Sequence, residues 1–438
     1  MTARTRVVLA GAIGNVVEWY DFGLYGLLAP VLASLFFPSH DRIAALLGVY
    51  GGFAVGFAMR PIGAIVLGRT GDRRGRQFVL VLSVVLMGAA TVAIGVLPSY
   101  EAIGIWAPVL LIIIRLFQGF SVGGEFVGSV TYLVETAEEN RRGIAGSVAN
   151  IGATIGMLLA AGAAALTQLG TGHSPHLWRW PFLFGGLLAF IGYVLRRHLP
   201  PEDELVPGGP APQPVSQAIV TPRNGTLARF AARWPALQAF REVPRTMILA
   251  LLFTSGYGVS NYLIMVFLPT FGREFAGIHG GTTLQINTAG QGLVLVLVPL
   301  AGWICDHWLR RRTMLALAFF LQAAASWELF EVVKTAGVTG LWAAQLILAG
   351  LLALVMGAAP AMLAEQFSRG YRVSAHALVL NVGIGIAGGS APLVAVALIG
   401  VMHSTMAPAI YLLFACLISG ITALMLSDRS RTKLDTSA

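Results

Sequence analysis

Two acidic residues, Glu18 and Asp21, lie three positions apart inside an apolar run that extends from about residue 7 to residue 37. Ionisable side chains deep in a bilayer cost several kcal/mol, so they usually face the interior of a helix bundle and often carry function. Three more charged residues, Arg60, Arg115 and Glu125, lie within other long apolar runs. These five side chains are therefore the first candidates for binding and proton chemistry.

Asp21 and Arg115 are predicted to lie at similar depth, on the first and fourth membrane helices. With a rise of about 1.5 Å per residue, Asp21 is roughly 16 Å from the inner end and Arg115 roughly 14 Å from the outer end. A carboxylate beside an arginine stays ionised, whereas one that loses this partner in apolar surroundings takes up a proton more readily. The hypothesis is that Asp21 carries the proton, and that Arg115 pairs with it and contacts a substrate carboxylate. A static pair that only joins two helices is the alternative.

The remaining deep charges have several interpretations. Glu18 lies one turn nearer the cytoplasm than Asp21 on nearly the same face, and it either shares the proton role or bonds to a neighbouring helix. Arg60 pairs with Glu18 or Asp21, contacts the substrate, or extends its charged end to the cytoplasm. Glu125 follows a glycine-rich stretch that permits close helix packing, and we expect a structural ion pair.

The composition is typical of a membrane protein. Of the 438 residues, 56% are hydrophobic and 11% are charged, whereas soluble proteins carry about 25% charged residues. Apolar runs of about 18 residues or more are long enough to cross a bilayer. They predict an all-α membrane protein with twelve transmembrane helices, at about 10–37, 45–68, 78–98, 106–135, 143–169, 178–198, 246–271, 284–305, 313–334, 341–366, 374–400 and 406–427.

The sequence contains no motif of an enzyme, a metal site or a cofactor site. Cys305 and Cys416 provide neither a disulfide framework nor a zinc-binding spacing. The glycine-rich VGGEFVG lies in a predicted helix and lacks the preceding strand that a dinucleotide site requires. We expect no enzymatic activity, no metal and no cofactor.

The basic residues predict the orientation, because loops rich in Lys and Arg stay in the cytoplasm. With the N-terminus inside, 23 of the 29 basic residues fall in inner segments. The outer loops hold only Arg42, Arg179, Arg273 and Lys334. Both termini are therefore expected in the cytoplasm. The net charge of +9 is spread over these loops, so it does not indicate nucleic-acid binding.

Two ordered matches indicate an internal repeat. Gly68, Asp72 and Arg76 recur with the same spacing as Gly302, Asp306 and Arg310, and Glu135 with Arg142 recurs as Glu365 with Arg372. Such repeats are common in secondary transporters, which bind substrate near the midplane between them. The predicted division is a six-helix half at 1–198, a cytoplasmic linker at 199–245 and a second six-helix half at 246–438.

Four stretches carry a family resemblance: GRTGDRRGR at 68–76, GNVVEWYDFGLYG at 14–26, RLFQGFSVGGEFVGSVTYLVE at 115–135 and NVGIGIAGGSAPL at 381–393. Together they resemble the metabolite:proton symporters of the major facilitator superfamily, which carry organic acids or zwitterions such as proline and betaine. Sugar–proton symporters of the superfamily have an Asp and an Arg in similar local sequence, and Tyr20, Asp21 and Arg115 match those places. The second loop motif departs from the pattern at His307 and Leu309, and no long charged C-terminal tail is present, which disfavours an osmolyte substrate.

The resemblance also implies a cytoplasmic gate. In the gate that the resemblance implies, an Asp lies near a helix end of the other half, and an Arg bridges to the Glu that ends the fourth helix. The alternative is a set of exposed loop charges worth ~0–1 kcal/mol each. The predicted gate residues are Asp72, Arg73, Arg76, Glu135, Arg142, Asp306, Arg310, Glu365 and Arg372.

The second half supplies polar groups without a buried cation. Tyr and Asn side chains can bond to carboxyl or hydroxyl oxygens. Beside Tyr20, Arg60 and Arg115, the candidates for substrate binding are Tyr257, Asn261, Tyr262, Gln291 and Asn381. His376 is expected to be structural.

These features predict a proton-coupled symporter in the inner membrane that imports a small di- or tricarboxylate by alternating access. A symporter for a zwitterionic osmolyte is the nearest alternative, and a drug-efflux antiporter or a non-transporting membrane receptor is a weaker one. The expected partners are the substrate, protons and the lipid bilayer, and we expect a monomer.

Replacing Asp21 by Asn tests the proton-carrier hypothesis. We expect the Asp21→Asn variant to lose proton-driven accumulation, because the amide cannot exchange a proton near neutral pH. Uptake into proteoliposomes, with and without a pH gradient, measures the effect. Retained accumulation with an unchanged pH dependence would reject the hypothesis.

Overall fold

The computed structural model describes residues 3–122, 125–168, 176–197, 235–368 and 370–430, and these residues form helices joined by short connections. The side chains of residues 3–12 and of further helical positions, among them Asp72, Arg73, Arg76 and Glu125, lie outside the described part. Most of the predicted linker also lies outside it, although a short helix, Pro235–Glu242, precedes the seventh span. The proposed domain boundaries stay a prediction.

The first half contains six spans, of which the first, second and fourth are each built from two helices. Their bounds are Ala3–Leu27 with Ala29–Phe36, Arg42–Ala58 with Arg60–Arg74, Arg76–Val96, Trp106–Ser121 with Glu125–Thr136, Arg142–Thr167, and Arg179–Arg197. A four-residue helix, Tyr100–Ile103, and a turn of 3₁₀ helix, Glu139–Arg141, lie in the connections.

The second half repeats this plan with longer continuous helices. The seventh span comprises Pro244–Tyr262, a π-helix at Leu263–Phe267, and Leu268–Glu274. The later spans are Gly280–His307, the two parts of Arg311–Ala364, Arg372–Leu380 with a π-helix at Asn381–Gly388 and Ala391–Met402, and Ala407–Met425.

The described helices account for twelve spans. Eight are long and apolar enough to cross a membrane, and a ninth is the pair Ile13–Leu27 and Ala29–Phe36, which is bent by 63°. The 54-residue helix Arg311–Ala364 turns at Gly337, whose φ of 57° is easily reached only by glycine, so it supplies two spans. The shorter fourth span and the sixth, Arg179–Arg197, complete the set.

Glycines bring the second and fourth spans into backbone contact. A Cβ on Gly119 would lie 1.8 Å from the carbonyl oxygen of Gly56, so no other residue fits there. Small residues allow such close helix packing in membranes. The contact lies one turn from Arg115, and it brings that side chain toward the first span.

The two halves meet along two seams. The fifth span packs against the eighth and tenth, and the second span packs against the eleventh. In the first of these seams, Asn150 of the fifth span donates from Nδ2 to the Met356 carbonyl of the tenth at 2.7 Å. Pro360 follows Met356 by four residues and has no N–H for that carbonyl. The proline therefore frees an acceptor that the opposite half uses.

Asn150→Ala tests this bond between the halves. We expect a loss of about 1 kcal/mol of unfolding free energy, because a buried carbonyl loses its hydrogen bond. In a Pro360→Ala background the loss should shrink, since the introduced alanine has a backbone N–H that can donate to the same carbonyl. Unfolding in mixed micelles, analysed as a double-mutant cycle, measures the coupling. Strictly additive effects would contradict the assignment.

Candidate substrate and proton site

Asp21 and Arg115 form a fully buried ion pair, with Arg115 Nη1 at 3.4 Å from Asp21 Oδ2. The other oxygen, Oδ1, accepts hydrogen bonds of 2.6 Å each from Thr91 Oγ1 and Gln118 Nε2. Gln118 Oε1 in turn accepts from Arg115 Nη1 at 2.7 Å. The two acceptor oxygens of Asp21 thus have different surroundings, because Oδ1 is held tightly and Oδ2 faces only the longer contact to arginine.

Thr91 and Gln118 were not predicted from the sequence. Gln118 follows Arg115 by three residues, which places both on one face of the fourth span. The three-residue spacing from Arg115 is the sequence feature from which Gln118 could have been predicted. Thr91 lies in the third span, and nothing in its local sequence distinguishes it from a helix–helix contact.

Aromatic rings enclose the Arg115 guanidinium. Its Cζ lies 4.2 Å from the centroid of the Tyr25 ring, 4.8 Å from that of Phe22 and 5.6 Å from that of Phe53. Arg115 Nε and Nη2 have no hydrogen-bond partner among the described residues. Cation–π attraction is strongest for desolvated pairs, so these rings replace part of the lost hydration.

A second charge pair lies one helical turn away, where Arg60 Nη2 approaches Glu18 Oε1 at 3.0 Å. The Arg60 guanidinium lies over the rings of Phe22 and Phe57, with its Cζ 4.4 Å from each centroid. Arg60 therefore pairs with Glu18, as one of its interpretations required, and does not extend away to the cytoplasm.

The Glu18–Arg60 pair borders a cavity of about 80 Å³ between the two halves. Both halves contribute to its wall. Six of the predicted residues line it: Glu18, Arg60, Tyr257, Asn261, Gln291 and Asn381.

Three residues that were predicted to contact the substrate do not line this cavity: Tyr20, Arg115 and Tyr262. Arg115 and its partner Asp21 are not part of the cavity wall, and the centroid of the Tyr25 ring lies 4.2 Å from the guanidinium carbon of Arg115. The hydroxyl of Tyr20 donates to the Pro181 carbonyl at 2.6 Å, which is a contact between helices. Tyr262 stacks on Trp19 with a centroid distance of 6.4 Å and does not itself line the cavity. The sequence predicted that Asp21 and Arg115 lie at similar depth, and the two residues do form a pair. It could not show which aromatic rings surround the Arg115 guanidinium.

Several lining residues were missed, among them Trp19, Asn150 and His376. Trp19 Nε1, His376 Nε2 and Gln291 Nε2 have no hydrogen-bond partner in the described part of the chain. His376 was expected to be structural, yet it lies on the cavity, and its Nδ1 is 3.5 Å from Thr131 Oγ1 of the other half. Unpartnered buried polar atoms leave the cavity wall able to bond to a polar ligand.

An ionic network joins the halves at the predicted cytoplasmic end. Arg142 Nη1 lies 2.7 Å from Glu365 Oε1. Arg311 bridges Glu365 and Asp306, and its Nη2 is 2.9 Å from Asp306 Oδ1. Asp306 also accepts from the backbone N–H groups of Gly143, at 2.8 Å, and Ile144, at 2.9 Å. These N–H groups begin the fifth span, where a helix favours negative charge.

The predicted gate residues divide into four sets. Arg142, Asp306 and Glu365 belong to this network, and Arg372 forms a separate pair with Glu135 at 2.5 Å. Arg310 is exposed and makes no ion pair among the described residues, because its extended backbone precedes the helix that Arg311 begins. The bridging arginine is therefore Arg311. The side chains of Asp72, Arg73 and Arg76 lie outside the described part.

The opposite end is also joined, by contacts that the sequence did not indicate. Arg42 forms two bonds with Glu274 of the other half, from Nε at 2.7 Å and from Nη2 at 2.8 Å. The hydroxyls of Tyr50 and Thr270 lie 2.8 Å apart nearby. The cavity thus lies between two sets of contacts that hold the halves together.

A twelve-span bundle of two repeated halves, with a cavity between the halves and buried charges, is the architecture of a secondary transporter. Residues 11–327 match the family model of the Major Facilitator Superfamily, and the chain belongs to that superfamily. This match confirms the predicted fold and family, which is a family of transporters.

Curated relatives span nearly the whole chain. The shikimate transporter of Escherichia coli strain K12 is 31% identical over 446 residues, which cover 97% of this chain and 95% of the relative. The proline/betaine transporter of the same strain is 30% identical over 442 residues, covering 98% and 84%. Both agree with the metabolite:proton symporter branch that the motifs indicated.

Solved structures show the same fold at lower identity. The D-xylose-proton symporter superposes with a TM-score of 0.71 at 16% identity, covering 99% of this chain and 100% of that one. At this identity the likeness concerns the fold alone.

Arg311→Gln and Arg310→Gln form a matched test of the network. We expect Arg311→Gln to open the cavity to the predicted cytoplasmic side, because breaking a buried pair costs about 3–5 kcal/mol. Arg310→Gln should change little. The measurement is the labelling rate of a Thr154→Cys variant, in a background with Cys305 and Cys416 replaced by serine. Equal rates for the two arginine variants would contradict the assignment.

Proposed function

We propose that the chain is a proton-coupled symporter that imports a small zwitterion, a molecule carrying both a carboxylate and a cationic nitrogen. The supporting observation is the Glu18–Arg60 pair, in which opposite charges stand 3.0 Å apart at the cavity wall. A bound zwitterion can exchange partners with this pair, its carboxylate facing Arg60 and its cation facing Glu18. No net charge is then left unpaired, which keeps the desolvation cost low.

Aromatic side chains suit the cationic end of such a substrate. Trp19 and Tyr257 line the cavity together with Glu18. Aromatic faces attract ammonium groups, including quaternary ones that cannot donate hydrogen bonds. The relatives named as proline/betaine transporters support the same substrate class.

A di- or tricarboxylate, our first expectation, fits the cavity less well. Arg60 is the arginine that borders it, and Glu18 beside it would repel additional carboxylates. Arg115, the cation that was expected to help, is enclosed by aromatic rings. The zwitterion interpretation therefore replaces the polycarboxylate one.

A hydroxylated monocarboxylate is the second candidate. The shikimate transporter of Escherichia coli supports it, as do the neutral polar side chains of Asn150, Asn261 and Gln291 on the cavity. A monoanion would pair with Arg60 and bond through its hydroxyls to these amides. It would not use Glu18 as a counter-charge, and this difference separates the two candidates.

We assign the proton to Asp21, with Arg115 as its partner. The carboxylate has two strong neutral donors on Oδ1, which remain compatible with a proton on Oδ2.

We also propose an inner-membrane location with both termini in the cytoplasm, from the distribution of basic residues. The network around Asp306 then faces the cytoplasm and the Arg42–Glu274 pair faces outward.

Uptake into proteoliposomes tests the substrate class. Labelled proline, betaine, shikimate and citrate are compared with and without an imposed pH gradient. We expect gradient-dependent uptake of proline or betaine, and a KM at least about tenfold higher in Glu18→Gln, since losing one buried charge contact costs ~1.4 kcal/mol or more.

Glu331→Gln, at a site on the ninth span away from the cavity, is the matched control and should behave like the wild type. Preferred uptake of shikimate that survives Glu18→Gln would favour the monocarboxylate. Absence of gradient dependence for every substrate would reject symport.

A further inference from the structure

The two charge pairs of the first half share one aromatic ring. Phe22 follows Glu18 by four residues and Asp21 by one, and it is buried with 1% exposure. The guanidinium carbon of Arg60 lies 4.4 Å from the centroid of the Phe22 ring, and that of Arg115 lies 4.8 Å from it. Among the described rings, Phe22 is the one that contacts both arginines.

The other rings of the cluster serve one arginine each. Phe57 contacts Arg60 at 4.4 Å, and Phe53 contacts Arg115 at 5.6 Å. Phe22 packs on Phe57 with a centroid distance of 4.6 Å and on Phe53 with 6.4 Å. A displacement of either arginine therefore changes the packing around Phe22.

The two pairs differ in their access to the cavity. Glu18 and Arg60 line it, whereas Asp21 and Arg115 do not, and the Arg115 guanidinium contacts the aromatic cluster. A substrate can reach Arg60 directly but has no direct contact with Asp21. Coupling between substrate and proton then requires an element that connects the two arginines.

We propose that Phe22 is the positioning residue that couples substrate binding at Arg60 to protonation of Asp21. The inference rests on the proposed function. A substrate carboxylate that draws Arg60 toward the cavity removes a cation from the Phe22 ring. Protein interiors are close-packed, so the ring shifts into the released space and the enclosure of Arg115 loosens.

Asp21 is arranged to respond to such a shift. Its contact with Arg115 is 3.4 Å, the longest of its three polar contacts, and involves Oδ2 alone. When Arg115 moves away, Oδ2 loses its counter-charge while Oδ1 keeps Thr91 and Gln118. A proton from water then bonds to Oδ2, so the site gains one proton for each substrate carboxylate taken up by Arg60.

The surroundings contain other groups that can carry charge, and the test must separate them from Asp21. In the described part, the titratable and charged groups around Asp21 and Phe22 are Glu18, Tyr20, Tyr25, Arg60, Arg115 and Tyr262. Comparing each Phe22 variant with and without Asp21→Asn identifies protons that bind to Asp21.

The experiment measures substrate-induced proton uptake by the purified transporter in weakly buffered micelles, together with the Kd of betaine or proline. We expect Phe22→Leu to keep the Kd within about threefold of the wild-type value and to reduce protons bound per substrate at least twofold. Phe22→Tyr, which retains a ring, should restore the ratio. In proteoliposomes, Phe22→Leu should take up substrate with a weaker response to the pH gradient.

Phe36→Leu is the matched control, since Phe36 is buried in the second helix of the same span and packs on Trp178 at 5.8 Å. It should leave the proton ratio unchanged. Phe22→Met, which fills similar volume without a ring, replaces Phe22→Leu if the latter does not fold.

The outcomes separate the two proposals. A wild-type protein that binds substrate without taking up protons would overturn the proposed function. Normal proton uptake by the wild type, with the same ratio in Phe22→Leu or Phe22→Met, would overturn the role of Phe22.

Discussion

A buried charge in a membrane must keep a partner, and this constraint determines how the helices of the protein are arranged. Asp21 requires Arg115, Glu18 requires Arg60, and Glu365 requires both Arg142 and Arg311. Removing one member would leave the other uncompensated in a medium of low dielectric constant. The same requirement makes the pairs useful, because a ligand or a proton that replaces one partner releases the other.

The two repeated halves differ in the polar groups that they bury. The first half holds the buried pairs of Glu18 and Asp21, whereas the described residues in the matching region of the second half include neutral pairs, as in the 2.5 Å bond between Ser260 and Gln322. In the part of the chain that the structure describes, the π-helices lie in the second half, at Leu263–Phe267 and Asn381–Gly388. Such segments often occur at functional sites. The buried charges of the first half and the π-helices of the second half therefore lie on opposite sides of the cavity.

The sequence was sufficient for features that depend on composition, period and spacing. It predicted twelve spans, the repeat, and the similar depth of Asp21 and Arg115. It could not show that Phe22, Tyr25 and Phe53 enclose Arg115, because apolar composition does not reveal which rings stack. The choice between Arg310 and Arg311 depended on the residue at which the ninth span begins, and helix boundaries are the least certain part of such predictions. Arg42 and Glu274 are 232 positions apart, and nothing local links them.

The two ends of the cavity differ in how their charges meet water. At one end Arg142 and Glu365 are almost completely buried, whereas Arg42 at the other end has 40% of its side chain exposed. Dissolved ions screen exposed charges far more than buried ones. The ionic strength of the medium on the Arg42 side therefore weakens the contacts at that end while those at the other end keep their strength. An increase in salt on the Arg42 side would therefore favour opening of the cavity toward that side.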